Sequence, residues 1–195
     1  MVIEHLALTN GVSDTEGGGL SILSRDATTR ATLRDLTISN NQAPGGSGIH
    51  VDTQAQVLIL RCRIIDNTAP MGGGGLLVIG GSEVMLKNSQ LEGNQSGDGG
   101  AVYVDTMSKF IGIGNIITGN TGTAGTGAFL VFGTVNLLDN YFERNSSTTR
   151  SIVILADGRA RLVGNVFLDI GSVFHQGAFF GAAGNYPPNC DTGNC

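Results

Sequence analysis

Charge is scarce in this chain of 195 residues: only 14% are Asp, Glu, Lys or Arg, against 41% hydrophobic. A chain so poor in charge and so rich in apolar side chains is not disordered, and its length suits one domain with a substantial core. Basic residues are scarcer than acidic ones, 11 against 16, for a formal charge of −5. Phosphate backbones are bound by clustered Lys and Arg, so no nucleic-acid partner is expected. Long apolar runs are missing too. No stretch approaches the roughly 18 residues of a membrane helix, so no membrane-spanning segment is expected. Met1 to Asn10 has neither a basic start nor the apolar run of an export signal. It already reads like the middle of a repeat, where a solenoid normally carries a polar cap, so the chain is expected to be an excerpt from a longer one.

Proline and cysteine are rare as well, at 4 and 3 residues. Cys62 sits in an alternating apolar run. Cys190 and Cys195 sit in a polar tail, where a small disulfide loop and free thiols are equally permitted. What is abundant is glycine, 31 residues with no collagen triplet, about twice the ordinary share. Glycine at that density serves repeated turns.

The turns have a period. Asn41, Asn67, Asn94, Asn120 and Asn145 are separated by 26, 27, 26 and 25 residues. Ile49, Leu76, Val102, Phe129 and Ile152 keep the same spacing, each followed two residues on by an inward partner: Val51, Val78, Val104, Val131 and Ile154. A further column runs Leu36, Cys62, Ser89, Asn115, Asn140 and Asn165, with Ile38, Ile64, Leu91, Ile117, Phe142 and Phe167 two residues on. A third short strand is suggested by Leu33, Ile59, Leu86, Leu137 and Leu162, interrupted at Gly112.

Period-two alternation in short segments means strands, and no stretch carries a helical pattern. Repeats of this length lack the leucine-rich consensus and are too short for a propeller blade. The expected fold is all-β: a right-handed, single-stranded parallel β-helix of about seven coils of 25–27 residues. It would span 1–172, with 173–195 a C-terminal segment forming a partial cap or tail. Coils spaced by about 4.8 Å would stack to a core of roughly 34 Å, with equivalent residues directly above one another. The Asn column then becomes a ladder, because an amide donates and accepts at once, and Asn tolerates the left-handed conformation of tight corners.

In that register the segments NQAPGGSGIHV (41–51), NTAPMGGGGLLV (67–78), NQSGDGGAVYV (94–104) and YFERN (141–145) resemble polymorphic outer-membrane protein repeats. Those repeats combine a Gly-Gly-apolar motif with Phe-x-x-Asn. The resemblance covers about 1–170, although only Phe142 to Asn145 matches the second motif fully; other coils put Ile or Leu in place of Phe. It implies a β-helix domain of a secreted or surface protein, extracellular or at the cell surface.

Pectate-lyase-like β-helices also include enzymes, which need clustered carboxylates on one outer face. Here Asp52, Asp105 and Asp157 fall in alternate coils, roughly 9–10 Å apart, with Gly80 and Gly133 between them. Asp at the end of a strand is a turn former first. No catalytic residue is assigned, and the rival reading is a polysaccharide lyase or hydrolase. His5, His50 and His175 lie in different coils, so no metal site and no cofactor is expected. The sequons at Asn94 and Asn145 belong to the ladder and are discounted as glycan sites.

The candidate binding surface is the outward side of one strand column: His50, Asp52, Leu77, Ile79, Tyr103, Asp105, Leu130 and Phe132, continued by Val153 and Leu155. Left bare, it would expose several hundred Å² of apolar area, more than monomers usually do. Either the segment 173–186, with its Phe174, Phe179, Phe180 and Tyr186, covers it, or a partner does. The expected role is non-catalytic: adhesion, or binding of a glycan or another protein. End-to-end self-association through open strand edges is a third reading.

Overall fold

The structure, a computed structural model, describes residues 1–24, 29–147, 152–154, 159–168, 173–175 and 178–186. Every paired strand is parallel to its neighbours, and each pairs with the equivalent strand of the next coil. Four sheets run the length of the stack. In chain order around a coil they are sheet A, five residues wide, as in Gln56–Leu60; sheet B, as in Arg63–Ile65; the short sheet C, as in Thr68–Gly72; and sheet D, as in Leu76–Val78. Among the described residues, sheets A, B and D stack eight, seven and seven strands, and sheet C stacks four. No helix of the described residues is long and apolar enough to cross a membrane.

The register follows the repeat. Met85 of sheet A pairs with Leu58 below and Ile111 above, and Leu77 of sheet D lies between His50 and Tyr103. The two ends depart from the period. Ile3 pairs with Leu33, thirty residues on, while Asn165 bonds to Asn185 across only 20 residues. Val173–His175 and Ala178–Ala183 pair in parallel with sheets D and A, so both sheets continue past the boundary expected at 172. Residues 187–195, with Cys190 and Cys195, lie outside the described residues.

The column read as a third short strand is the widest sheet. Gly112 does not break it, because Lys109–Ile113 pairs fully on both sides. A Cβ at Gly112 would stand 3.0 Å from Leu137 Cδ2 and 3.1 Å from Phe110 Cε1. Two neighbours therefore fill the space that its missing side chain leaves. Phe110 opens a run of rings up the core: Phe110 on Phe129 (5.3 Å), Phe129 on Phe142 (5.6 Å) and Phe142 on Phe167 (4.9 Å). Edge-on and offset ring contacts of this kind add to the gain from burial alone.

Two corners repeat up the stack. Between sheets A and B, and between B and C, two residues separate the strands: a left-handed residue, then one that is buried in every coil above the first. The expectation that the ladder Asn itself takes the left-handed conformation is corrected here. The residue before it does, as at Asn40, Asp66, Gly93, Gly119 and Arg144 (φ 49° to 66° across both corners). That leaves the ladder Asn free to aim inward. Asn67 Nδ2 donates to Asn94 Oδ1 (2.9 Å) and to the Ile38 carbonyl (3.1 Å), and the Asn67 backbone N–H donates to the same Oδ1 (3.1 Å). Equivalent bonds run from Asn41 through Asn67, Asn94 and Asn120 to Asn145. Each buried amide is thereby satisfied by the coils on either side.

The other corner holds a second ladder that sequence reasoning took for a strand column. Asn115 bonds Asn140, Asn140 bonds Asn165, and Asn165 bonds Asn185 at 2.9–3.0 Å. In lower coils the same position is taken by Ser89, whose hydroxyl accepts from the Cys62 backbone N–H, then by Cys62 and Leu36. Burial pushes the Cys62 thiol up from its ordinary value, so it stays a neutral packing group.

Replacing Asn94 with Ala strands the Asn67 amide and the Ile64 carbonyl in the interior. Urea denaturation should show a loss of about 2–4 kcal/mol. At the exposed left-handed position Arg144, Gly should instead raise stability by roughly 0.5–1 kcal/mol, because a side chain there is strained.

Candidate functional site

Outward residues of sheet D are separated from solvent by the corner that precedes them, where sheet C turns into sheet D. Leu77, Leu130 and His50 are 8%, 7% and 5% exposed, while Asp52, Ile79, Tyr103, Asp105 and Phe132 are half-buried. Among the described residues, glycine backbone lies over Leu77 and Tyr103. A Cβ at Gly46 would fall 2.8 Å from Leu77 Cβ, and one at Gly72 would fall 3.1 Å from the Tyr103 ring. Gly46 also has φ +56°. Side chains at these corners would push the backbone off the sheet, so the glycine runs both turn the chain and let it lie flat across the coil above. The side chains of Val153, Leu155, Asp157, Phe174, His175, Phe179 and Phe180 lie outside the described residues.

Where that cover ends, a groove of about 480 Å³ opens. Leu77, Ile79 and Tyr103 form one wall, Pro70 and Met71 the other, with Glu16 and Asp98 also lining it. Met71 is 59% exposed. Tyr103 stacks at a tilt on Phe132, 5.7 Å between ring centres, which fixes the phenol's plane from above. Burial first, and then the carboxylates of Asp105 and Asp98, push the Tyr103 phenol above its ordinary value and keep it a neutral O–H. No Lys or Arg lines the groove.

The expected acids have structural work. Asp105 Oδ2 accepts from the Gly80 N–H (2.9 Å), and its other oxygen accepts from the Met107 N–H (3.2 Å). Asp52 accepts from the Thr53 N–H, and its carboxylate occupies the place of any Cβ at Gly80. Gly80 is thus held from both sides, with the Asp52 carboxylate in the place of its side chain and the Asp105 carboxylate on its N–H. Among the described residues no three His, Cys, Asp or Glu side chains gather as a metal site requires.

A family model described as the right-handed beta helix region matches residues 12–186. The chain belongs to this right-handed β-helix family. No curated protein and no solved structure matches it. A β-helix places its outward side chains on a lattice set by coil spacing, so the groove is as rigid as the sheets that form its wall.

His50 is a buried titratable side chain with no ion pair among the described residues. Its Nδ1 lies 3.2 Å from Ser21 Oγ, and its Nε2 is buried without a hydrogen-bond partner. Desolvation lowers its pKa, against the opposing pull of Asp52 and Glu16. The folded chain therefore resists the proton more than the unfolded chain does. Stability from this residue is complete above about pH 6.5 and is lost as pH falls below it. Urea midpoints of the wild type and of His50→Leu, compared at about pH 7.5 and 5.5, should show the wild type losing more.

Proposed function

We propose that this β-helix is a rigid, non-catalytic binding segment of a secreted or cell-surface protein, and that the groove beside sheet D receives a glycan. The observation that carries this reading is the pairing of a half-exposed Tyr103 ring, held by Phe132, with Glu16 and Asp98 in one apolar groove. Sugar rings present apolar C–H faces that lie on aromatic side chains and hydroxyls that donate to carboxylates. The acid chemistry of a lyase or hydrolase finds less support, since Asp52 and Asp105 accept hydrogen bonds from turn N–H groups.

Glycan arrays run beside a polysaccharide depolymerisation assay test the proposal. Binding without chain cleavage is expected, and cleavage would overturn it. On any glycan bound, Tyr103→Ala should weaken affinity roughly tenfold, the effect of losing about 1.5 kcal/mol of ring contact, measured at a temperature where the variant is shown to be folded. An unchanged affinity would remove the groove from the reading.

A further inference from the structure

Charge on this molecule is sorted by face. The strands of sheet A carry Arg30, Arg34, Lys87, Lys109, Arg159 and Arg161, six of the 11 basic residues, but only Glu4 and Glu83 of the 16 acidic ones. Sheet A is therefore +4 (6 − 2) on a chain of −5, which leaves −9 for everything else. All eight charged residues alternate with buried ones along their strands, or lie at the outward ends of them, so the charge is on the outer face. Through the first five coils, the arc made of sheet C, its glycine corner and sheet D is the reverse. Residues 10–24, 40–55, 67–82, 94–108 and 119–133 hold Asp14, Glu16, Asp52, Asp98 and Asp105, with no Lys or Arg.

Both surfaces are also partly apolar. On sheet A, Leu58, Met85 and Ile111 stack on successive strands as a half-exposed stripe beside a shallow depression bordered by Arg30, Gln56 and Glu83. The other arc offers the groove walls Leu77, Ile79, Tyr103 and Met71. Because the same coils build both, side chains on each surface sit at whole multiples of about 4.8 Å along the axis. Two such surfaces can be laid against each other with opposite charges facing.

We propose that the basic outer face of sheet A docks on the acidic, groove-bearing arc of a second copy of this chain. Such a contact joins unlike surfaces, so a docked pair keeps one face of each kind open and assembly runs on sideways. The face measures roughly 17 by 34 Å, small enough for a weak, reversible contact. Opposite charges supply its specificity, and salt dissolves it. The proposal rests on the groove reading in one respect: a copy seated there covers Tyr103 and excludes a glycan.

Sedimentation velocity of the intact chain at about 0.02 M and 0.5 M NaCl tests it. The weight-average size should grow with concentration at low salt and fall to the monomer at high salt. Two charge-reversed variants then assign the faces: Arg30→Glu with Arg161→Glu, and Asp14→Lys with Glu16→Lys. Each alone should stay monomeric at low salt, with wild-type melting showing that it is folded. Mixed at low salt, they should associate, because the acidic arc of the first meets the basic sheet A of the second. A monomeric wild type at low salt, growth that survives either reversal, or a mixture that stays apart would overturn the proposal. Glycan affinity of the Arg30→Glu, Arg161→Glu variant at high salt is read separately. It should equal that of the wild type, so failure of the groove and failure of the copy contact give different results.

Discussion

Everything in this fold depends on buried corner backbone finding hydrogen-bond partners one coil away. A corner of two residues leaves N–H and C=O groups pointing into a dry interior, and an unpaired group there costs about 1–3 kcal/mol. The Asn side chain closes that deficit from both sides at once, accepting at Oδ1 from the coil below and donating at Nδ2 to its carbonyl. A coil that placed its Asn one residue early would turn its strands inside out, since alternate residues face opposite ways. The spacing of 25 to 27 residues in the middle coils is thus held by polar chemistry at the corners, with the apolar lining following it.

That constraint explains what was legible in the sequence. The ladder from Asn41 to Asn145 could be read because one residue type recurs where only one chemistry suffices. The second ladder could not, because its column passes through Leu36, Cys62 and Ser89 before reaching Asn115; each satisfies the corner differently, and only the later members repeat. The left-handed positions were hidden for a related reason. Asn, Asp, Gly and even Arg occupy them, so the backbone geometry is constant while the residue type is not. Gly112 looked like a gap in a strand, whereas Phe110 and Leu137 fill its place from neighbouring positions.

The candidate site was legible in part. Alternation correctly places Leu77, Tyr103 and Leu130 on the outward side of their strands, but it carries no information about what lies over them. The cover is glycine backbone, and a residue defined by the absence of a side chain leaves no apolar pattern to follow. The groove lining added Glu16, Met71 and Asp98, which come from corners rather than strands and so stand outside any strand column. Asp52 and Asp105, read both as turn formers and as part of the binding surface, accept from turn N–H groups, and both meet Gly80.

The corners flanking sheet B always hold two residues, but the link from sheet D back to sheet A holds from two to six. Three of the four residues that separate the thirty-residue first step from the next step of 26 are taken up there, and the fourth between sheets B and D. The arc from sheet B to sheet D holds from five to ten residues between its strands. Length is therefore free to vary on these two arcs, whereas an indel of one codon in a ladder corner would displace the side chains that the next coil must meet.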